Sequence, residues 1–235
     1  MKYKCLTSFL LISPLLAYGL GSPVAFNGIY VGAGGGKMKT TLKSERKQVN
    51  TNPIEFFFDK EEKTHLHTSF FSLDAGYSHA FENRFYTAIE LTYKSYDSNN
   101  QHIPNYSFDV LLKPGFVFAS NTAIFGLVGV GMNKVDFPIL NYQCTRAEGC
   151  GPSTFVYDNR VNQFFAFTTV GAGIKQALTN RFSISLEGQY IVQRDFAYSG
   201  VTYSPNALIW NMHNYKIQNT SAQGLLKLDY LFVNV

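Results

Sequence analysis

The chain has 235 residues, a length that suits one domain, with 15% charged residues, 16% aromatic residues (21 Phe and 15 Tyr) and a formal net charge of +4. So weak a positive charge, two units of it from Lys2 and Lys4, excludes a basic nucleic-acid-binding chain. The mean hydropathy is −0.07, and no run of 18 apolar residues follows the N-terminus, which excludes a transmembrane helix in the mature chain.

Residues 1–21 read as a secretory signal peptide. Lys2 and Lys4 precede an apolar stretch from Leu6 to Leu16, and Ala17-Tyr18-Gly19 offers small residues for cleavage. Cys5 lies before the apolar stretch, so it is not a lipid-bearing cysteine. The remainder, 22–235, is expected to be one barrel domain. Period-2 alternation predicts eight strands in chain order, at 27–39, 64–81, 85–96, 106–119, 123–135, 161–178, 181–196 and 215–232. Most exceed the 9–11 residues that cross a bilayer at a tilt. Three connections are tight and polar: Glu82-Asn83-Arg84, Ser120-Asn121-Thr122 and Thr179-Asn180. The other four, at about 40–63, 97–105, 136–160 and 197–214, are expected to be long loops. Pro114 falls inside the fourth strand, where a bulge is the expected accommodation.

Successive strand residues point to opposite faces. In the third strand Phe85, Ile89, Leu91 and Tyr93 oppose Ala88, Glu90, Thr92 and Lys94. In the seventh, Phe182, Ile184, Leu186 and Tyr190 oppose Ser183, Ser185, Glu187 and Gln189. In the last, Leu226, Leu228, Tyr230 and Phe232 oppose Lys227 and Asp229. The polar face collects Asp74, Glu90, Asp109, Lys113, Lys175, Glu187, Lys227 and Asp229. Parity alone does not decide which face is inside. Asymmetric connections, aromatics near the strand ends of the apolar face, and glycines on the polar face favour a membrane barrel with a crowded polar lumen. Its eight strands leave an interior filled by side chains, so an open pore is not expected.

A repeat runs through the turns. Gly76, Asn83, Glu90 and Tyr93 have the spacing of Gly173, Asn180, Glu187 and Tyr190, and Arg-Phe follows each Asn. Hairpin-by-hairpin construction leaves such a pattern. Cys144 and Cys150 flank five residues in the third long loop. On an oxidising export route they are expected to form a disulfide.

The motifs Gly28-Ile29-Tyr30-Val31-Gly32-Ala33-Gly34, Val170-Gly171-Ala172-Gly173 and Asn180-Arg181-Phe182-Ser183-Ile184-Ser185-Leu186-Glu187-Gly188-Gln189-Tyr190, with the alternating strand through Phe232, carry a resemblance. The chain resembles the small Gram-negative outer-membrane barrels of the OmpA transmembrane-domain and opacity type. The resemblance implies an all-β, eight-stranded antiparallel transmembrane up-and-down barrel with short periplasmic turns and long extracellular loops. It implies outer-membrane localisation, assembly by the barrel-insertion machinery, and a structural, adhesion or binding role rather than catalysis. Leu226, Leu228, Tyr230 and Phe232 are the expected assembly signal; Val233-Asn234-Val235 follows them, where such barrels usually end on the aromatic.

No cofactor, metal or nucleic acid is expected. The expected partners are outer-membrane lipids, lipopolysaccharide and a host or surface ligand at the loops, with the barrel a monomer. Two alternatives remain: a narrow porin, and a lipid A-modifying enzyme. His67-Thr68-Ser69 has the local form of a deacylase His-x-Ser, which needs an orienting acid. His65 and His67 also have the i, i+2 strand spacing of a metal-binding pair. The first long loop opens with Lys37, Lys39, Lys43, Arg46 and Lys47, a set suited to lipopolysaccharide phosphates or to solvent.

Overall fold

A computed structural model describes residues 23–50, 58–97, 104–138, 160–204 and 209–232. The expected leader, residues 1–21, and both Cys144 and Cys150 lie outside them, and so does most of the third long connection. The strands are β1 (Gly28–Asn50), β2 (Phe58–Ala80), β3 (Phe85–Tyr96), β4 (Tyr106–Leu112), β5 (Gly115–Phe118), β6 (Thr122–Pro138), β7 (Arg160–Ala177), β8 (Phe182–Gln193), β9 (Phe196–Ser204) and β10 (Ile209–Leu231). β5 continues β4 and β9 continues β8, so the wall has eight staves. Neighbours pair antiparallel around the ring, and β1 pairs with β10 to close it. The protein is therefore a closed eight-stranded antiparallel barrel, with no sheet edge along its wall.

The tight turns fall where the polar tripeptides predict them. Phe81 N donates to Phe85 O at 2.8 Å, and Arg84 N donates to Phe81 O at 2.8 Å. Arg84 and Asn121 take positive φ, 66° and 56°, and Asn tolerates that conformation better than most residues.

Two expectations need correction. The long connections at 40–63 and 197–214 are mostly strand. β1 and β2 stay paired from Gly28↔Ser78 up to Gln48↔Phe58. β10 stays paired to β1 as far as Asn50↔Asn211, and to β9 up to Ile209↔Ser204. A four-stranded sheet thus rises above the barrel. It escapes pattern reading because these segments carry no sustained hydrophobic alternation in sequence, while their backbones pair regardless. The second correction concerns Pro114. β4 and β5 keep one unbroken register with β3, from Ile89↔Leu112 to Phe85↔Phe116, and one with β6. There is no bulge. Pro114 stands opposite Gly126, whose N donates to its carbonyl at 2.9 Å. The wall gives up one ladder donor and no residue of register.

Inside and outside are as different as the parity suggests. Ile89, Leu91, Val130, Leu186 and Leu228 on the outer wall are each more than half exposed, while Glu90, Asp109, Glu187 and Lys227 are fully buried. Rings band the outer wall at both ends of the apolar region. Near the turns Phe182 and Tyr230 lie 5.1 Å apart, as do Tyr230 and Phe232. Near the loops Tyr93 and Phe108 lie 5.1 Å apart, with Phe164 against Tyr106 at 6.2 Å. Water would not tolerate an apolar band of this extent, and lipid requires one. The chain is an integral membrane barrel of the outer-membrane type.

Candidate functional site

The lumen is filled in layers. At the turn end, the short 3-10 helix Pro23–Phe26 tucks inward. Ser78 Oγ donates to Phe26 O at 2.6 Å, and Ala80 N donates to Asn27 Oδ1 at 2.6 Å. Phe26 then packs with Tyr86, Leu111, Val117 and Phe125 in an apolar plug. Nearer the loops, Met38, Phe70, Tyr96 and Leu225 form a second apolar cluster.

Between the two lie the charges. Five carboxylates (Asp74, Glu90, Asp109, Glu187, Asp229) meet four lysines (Lys94, Lys113, Lys175, Lys227), all buried. Lys227 Nζ is the hub: it lies 2.7 and 2.8 Å from the two Glu90 oxygens, 3.3 Å from Glu187 and 3.4 Å from Asp74. Lys113 Nζ spans the lumen, 2.7 Å from Glu90 Oε2 and 2.7 Å from Glu187 Oε1. Lys175 turns instead to Asp229 at 2.8 Å, with its ammonium 4.2 Å from the centre of the Tyr30 ring. Lys94 pairs with Asp109 at 2.9 Å and donates to Gln189 Oε1 at 3.0 Å, and Gln189 donates to Glu187 at 2.9 Å. One hydrogen-bonded net therefore joins β3, β4, β8 and β10. Low dielectric makes each bond strong and each missing partner expensive.

All eight charged residues singled out in the sequence face this lumen. Lys94, Gln189 and Tyr30 belong to the same net and were not among them. Lys94 shares the parity of Glu90, so the signal was present. Tyr30, whose hydroxyl donates to Glu90 at 2.8 Å, sits among glycines that hide the alternation of β1.

The glycines explain how so many charges fit. Gly76 lies across from Glu90, and Gly173 across from Glu187. These are the Gly–Glu pairs of the repeat, so the repeat places two carboxylates at one height beside two small residues. Gly32 lies between Asp74 and Asp229. A Cβ on Gly32 would press into both carboxylates, and one on Gly173 would come within 3.0 Å of Glu187 Cγ.

Outside, Leu226, Leu228, Tyr230 and Phe232 lie on the apolar wall, and His65, His67 and Ser69 lie exposed on the outer face of β2. His65 Nδ1 meets Thr41 Oγ1 at 3.1 Å. Ser69 stands next to Asp97 of the neighbouring stave, whose N donates to Ser69 O at 3.0 Å. No hydrogen bond joins the His67 and Ser69 side chains among the described residues. There is also no metal-binding cluster among the described residues.

No family model matches the chain, and no curated relative does. Among solved structures it is similar to Neisserial surface protein A, with 13% identity and a TM-score of 0.41 over 88% of this chain and 98% of that one. It is similar to the attachment invasion locus protein Ail of Yersinia pestis, with 13% identity and a TM-score of 0.41 over 88% and 99%. It is also similar to the outer membrane protease OmpT of Escherichia coli, with 10% identity and a TM-score of 0.46 over 92% and 100%. The membrane placement rests on this chain's own two faces.

Proposed function

We propose that this chain is a monomeric surface protein of the Gram-negative outer membrane that works by binding through its extracellular part, without turnover or substantial conductance. The observation that carries this reading is the contrast between a lumen sealed by charge pairs and apolar plugs and a sheet of strands raised above the membrane. A sealed lumen leaves the loop end as the place for function, and loops on a rigid scaffold are where binding resides. Tyr142, Tyr157, Tyr198 and Tyr203, in or beside the long connections of the sequence, suit contact surfaces because aromatic side chains supply area at low entropy cost; Tyr96 is instead buried with Met38, Phe70 and Leu225. The Cys144–Cys150 disulfide, in this reading, stiffens the third loop and leaves barrel stability to the closed ladder.

Two measurements separate this from its rivals. Purified protein in planar bilayers is expected to give only small, rare openings; steady large conductance would make it a pore. Lipid A incubated with the protein is expected to keep its acyl chains. Hydrolysis that disappears with Ser69→Ala would make it an enzyme built on His67 and Ser69.

A further inference from the structure

On the lipid-facing wall, one row of cross-strand partners is made almost entirely of small residues. Gly224 of β10 pairs with Gly188 of β8, Gly188 with Ala172 of β7, and Ala172 with Gly126 of β6. All four face outward. A Cβ at Gly188 or Gly224 would meet nothing within 4 Å, so neither glycine is there to relieve a clash. Larger side chains flank most of it. Leu226, Leu186, Ile174 and Ile124 form one ridge, and Tyr190, Val170 and Val128 rise opposite, with the small Ala222 completing that row beside Gly224. The result is a trough about 14 Å long, from three strand spacings.

The trough is oblique. Gly126 lies near the turn end of β6, while the next residue beyond Gly224 in the same row is Lys37, well up β1. Lys37 and its same-face neighbour Lys39 are exposed, and neither makes an ion pair among the described residues. Ser69 stands across from Lys37 and His67 across from Lys39. The one carboxylate beside them on this face among the described residues is Asp97, a strand further on. An apolar channel therefore climbs the wall and ends on two unpaired ammonium groups where the apolar belt stops.

The geometry points to one occupant: a phosphorylated acyl glycolipid of the outer leaflet, lipid A, with a phosphate on Lys37 and Lys39 and one acyl chain in the trough. A phosphate complements the two cations through charge-assisted bonds. The trough is continuous with the lipid-facing surface, so an acyl chain enters it without leaving the bilayer. The inference rests on the outer-membrane reading, because the lysines lie at the loop end, which faces the outer leaflet.

Native mass spectrometry of the delipidated, refolded full chain in non-ionic detergent tests it, with bis-phosphorylated hexa-acyl lipid A as the probe. One lipid per barrel is expected. Lys37→Gln with Lys39→Gln should weaken binding about tenfold or more, and so should Gly188→Leu with Gly224→Leu, which fills the trough and leaves the lysines in place. Lys63→Gln, higher on the same face, should leave binding unchanged. Dephosphorylated lipid A and inorganic phosphate should each bind at least tenfold more weakly than the intact lipid. Equal affinity in both double variants, or equal binding of dephosphorylated lipid A, would overturn the site. Heat-modifiable mobility of every variant, scored in the same preparations, shows that the barrel has folded. Fractionation of the native chain away from the outer membrane would sink the membrane reading instead.

Discussion

At the scale of single residues, Lys227 and Gly32 are the positions on which the lumen turns. Lys227 faces Glu90, Glu187 and Asp74 at once. Its replacement by Met leaves three buried carboxylates with one fewer cation, and breaking a buried charge set by removing one partner costs about 3–5 kcal/mol. Urea unfolding in lipid should show a loss of that order for Lys227→Met, and adding Glu90→Gln should return part of it. A loss no larger than that of an exposed lysine such as Lys63 would show that the net contributes little. Gly32 is under the opposite constraint. Gly32→Val drives its side chain into Asp74 and Asp229 and should destabilise by about 1–3 kcal/mol. Gly188→Val, in open space, should change stability by about 0.5 kcal/mol or less. Equal effects in the two variants would contradict the packing described.

At the scale of elements, the barrel and the raised sheet are separable. β1 has paired with both neighbours from Tyr30 to Lys43 before the upper part begins. Replacing residues 44–62 by a short turn should therefore leave a barrel that still folds and still shows heat-modifiable mobility, because loop length weighs little against a closed ladder. Loss of folding would mean that the upper sheet nucleates the barrel. At the junction of β8 and β9, Asp195 accepts from Gln218 at 3.0 Å and from Lys216 at 3.2 Å. These bonds, Gln218's first, hold its carboxyl below the usual aspartate range. A carboxyl lowered in the folded state stabilises above its unfolded value and loses that contribution as pH falls through the folded one. Hydrogen exchange of β9 should thus quicken only in acid, below the ordinary carboxylate range, and Asp195→Asn should flatten that dependence.

The same scale shows what could be read in advance. β3 begins and ends where alternation puts it, because both its faces are strongly typed: lipid on one side, packed polar groups on the other. The upper parts of β1, β2 and β10 escape, since their sequences carry no sustained period-2 hydrophobic alternation. Glu90 and Glu187 could be placed at one height because each follows its turn by the same count. That Lys175 would choose Asp229 over either glutamate could not be read, because parity gives the face and leaves the partner to three-dimensional distance. The oblique glycine row is likewise invisible along the chain. Gly126, Ala172, Gly188 and Gly224 belong to four different strands, and only the stagger of the barrel brings them into line.

At the scale of the whole molecule, one property underlies all the others: the apolar face meets lipid and the charged face is sealed within. A closed antiparallel barrel satisfies every backbone group along its wall and so survives in a bilayer where an open sheet would not. Such a barrel resists detergent until heated. Outer membranes should therefore be separated from inner membranes and soluble fractions on a density gradient, and each run on a detergent gel with and without boiling. The protein should lie in the outer-membrane fraction and migrate as a compact, faster band that slows on boiling. A protein recovered from the soluble periplasmic or secreted fraction, with one mobility before and after boiling, would contradict it.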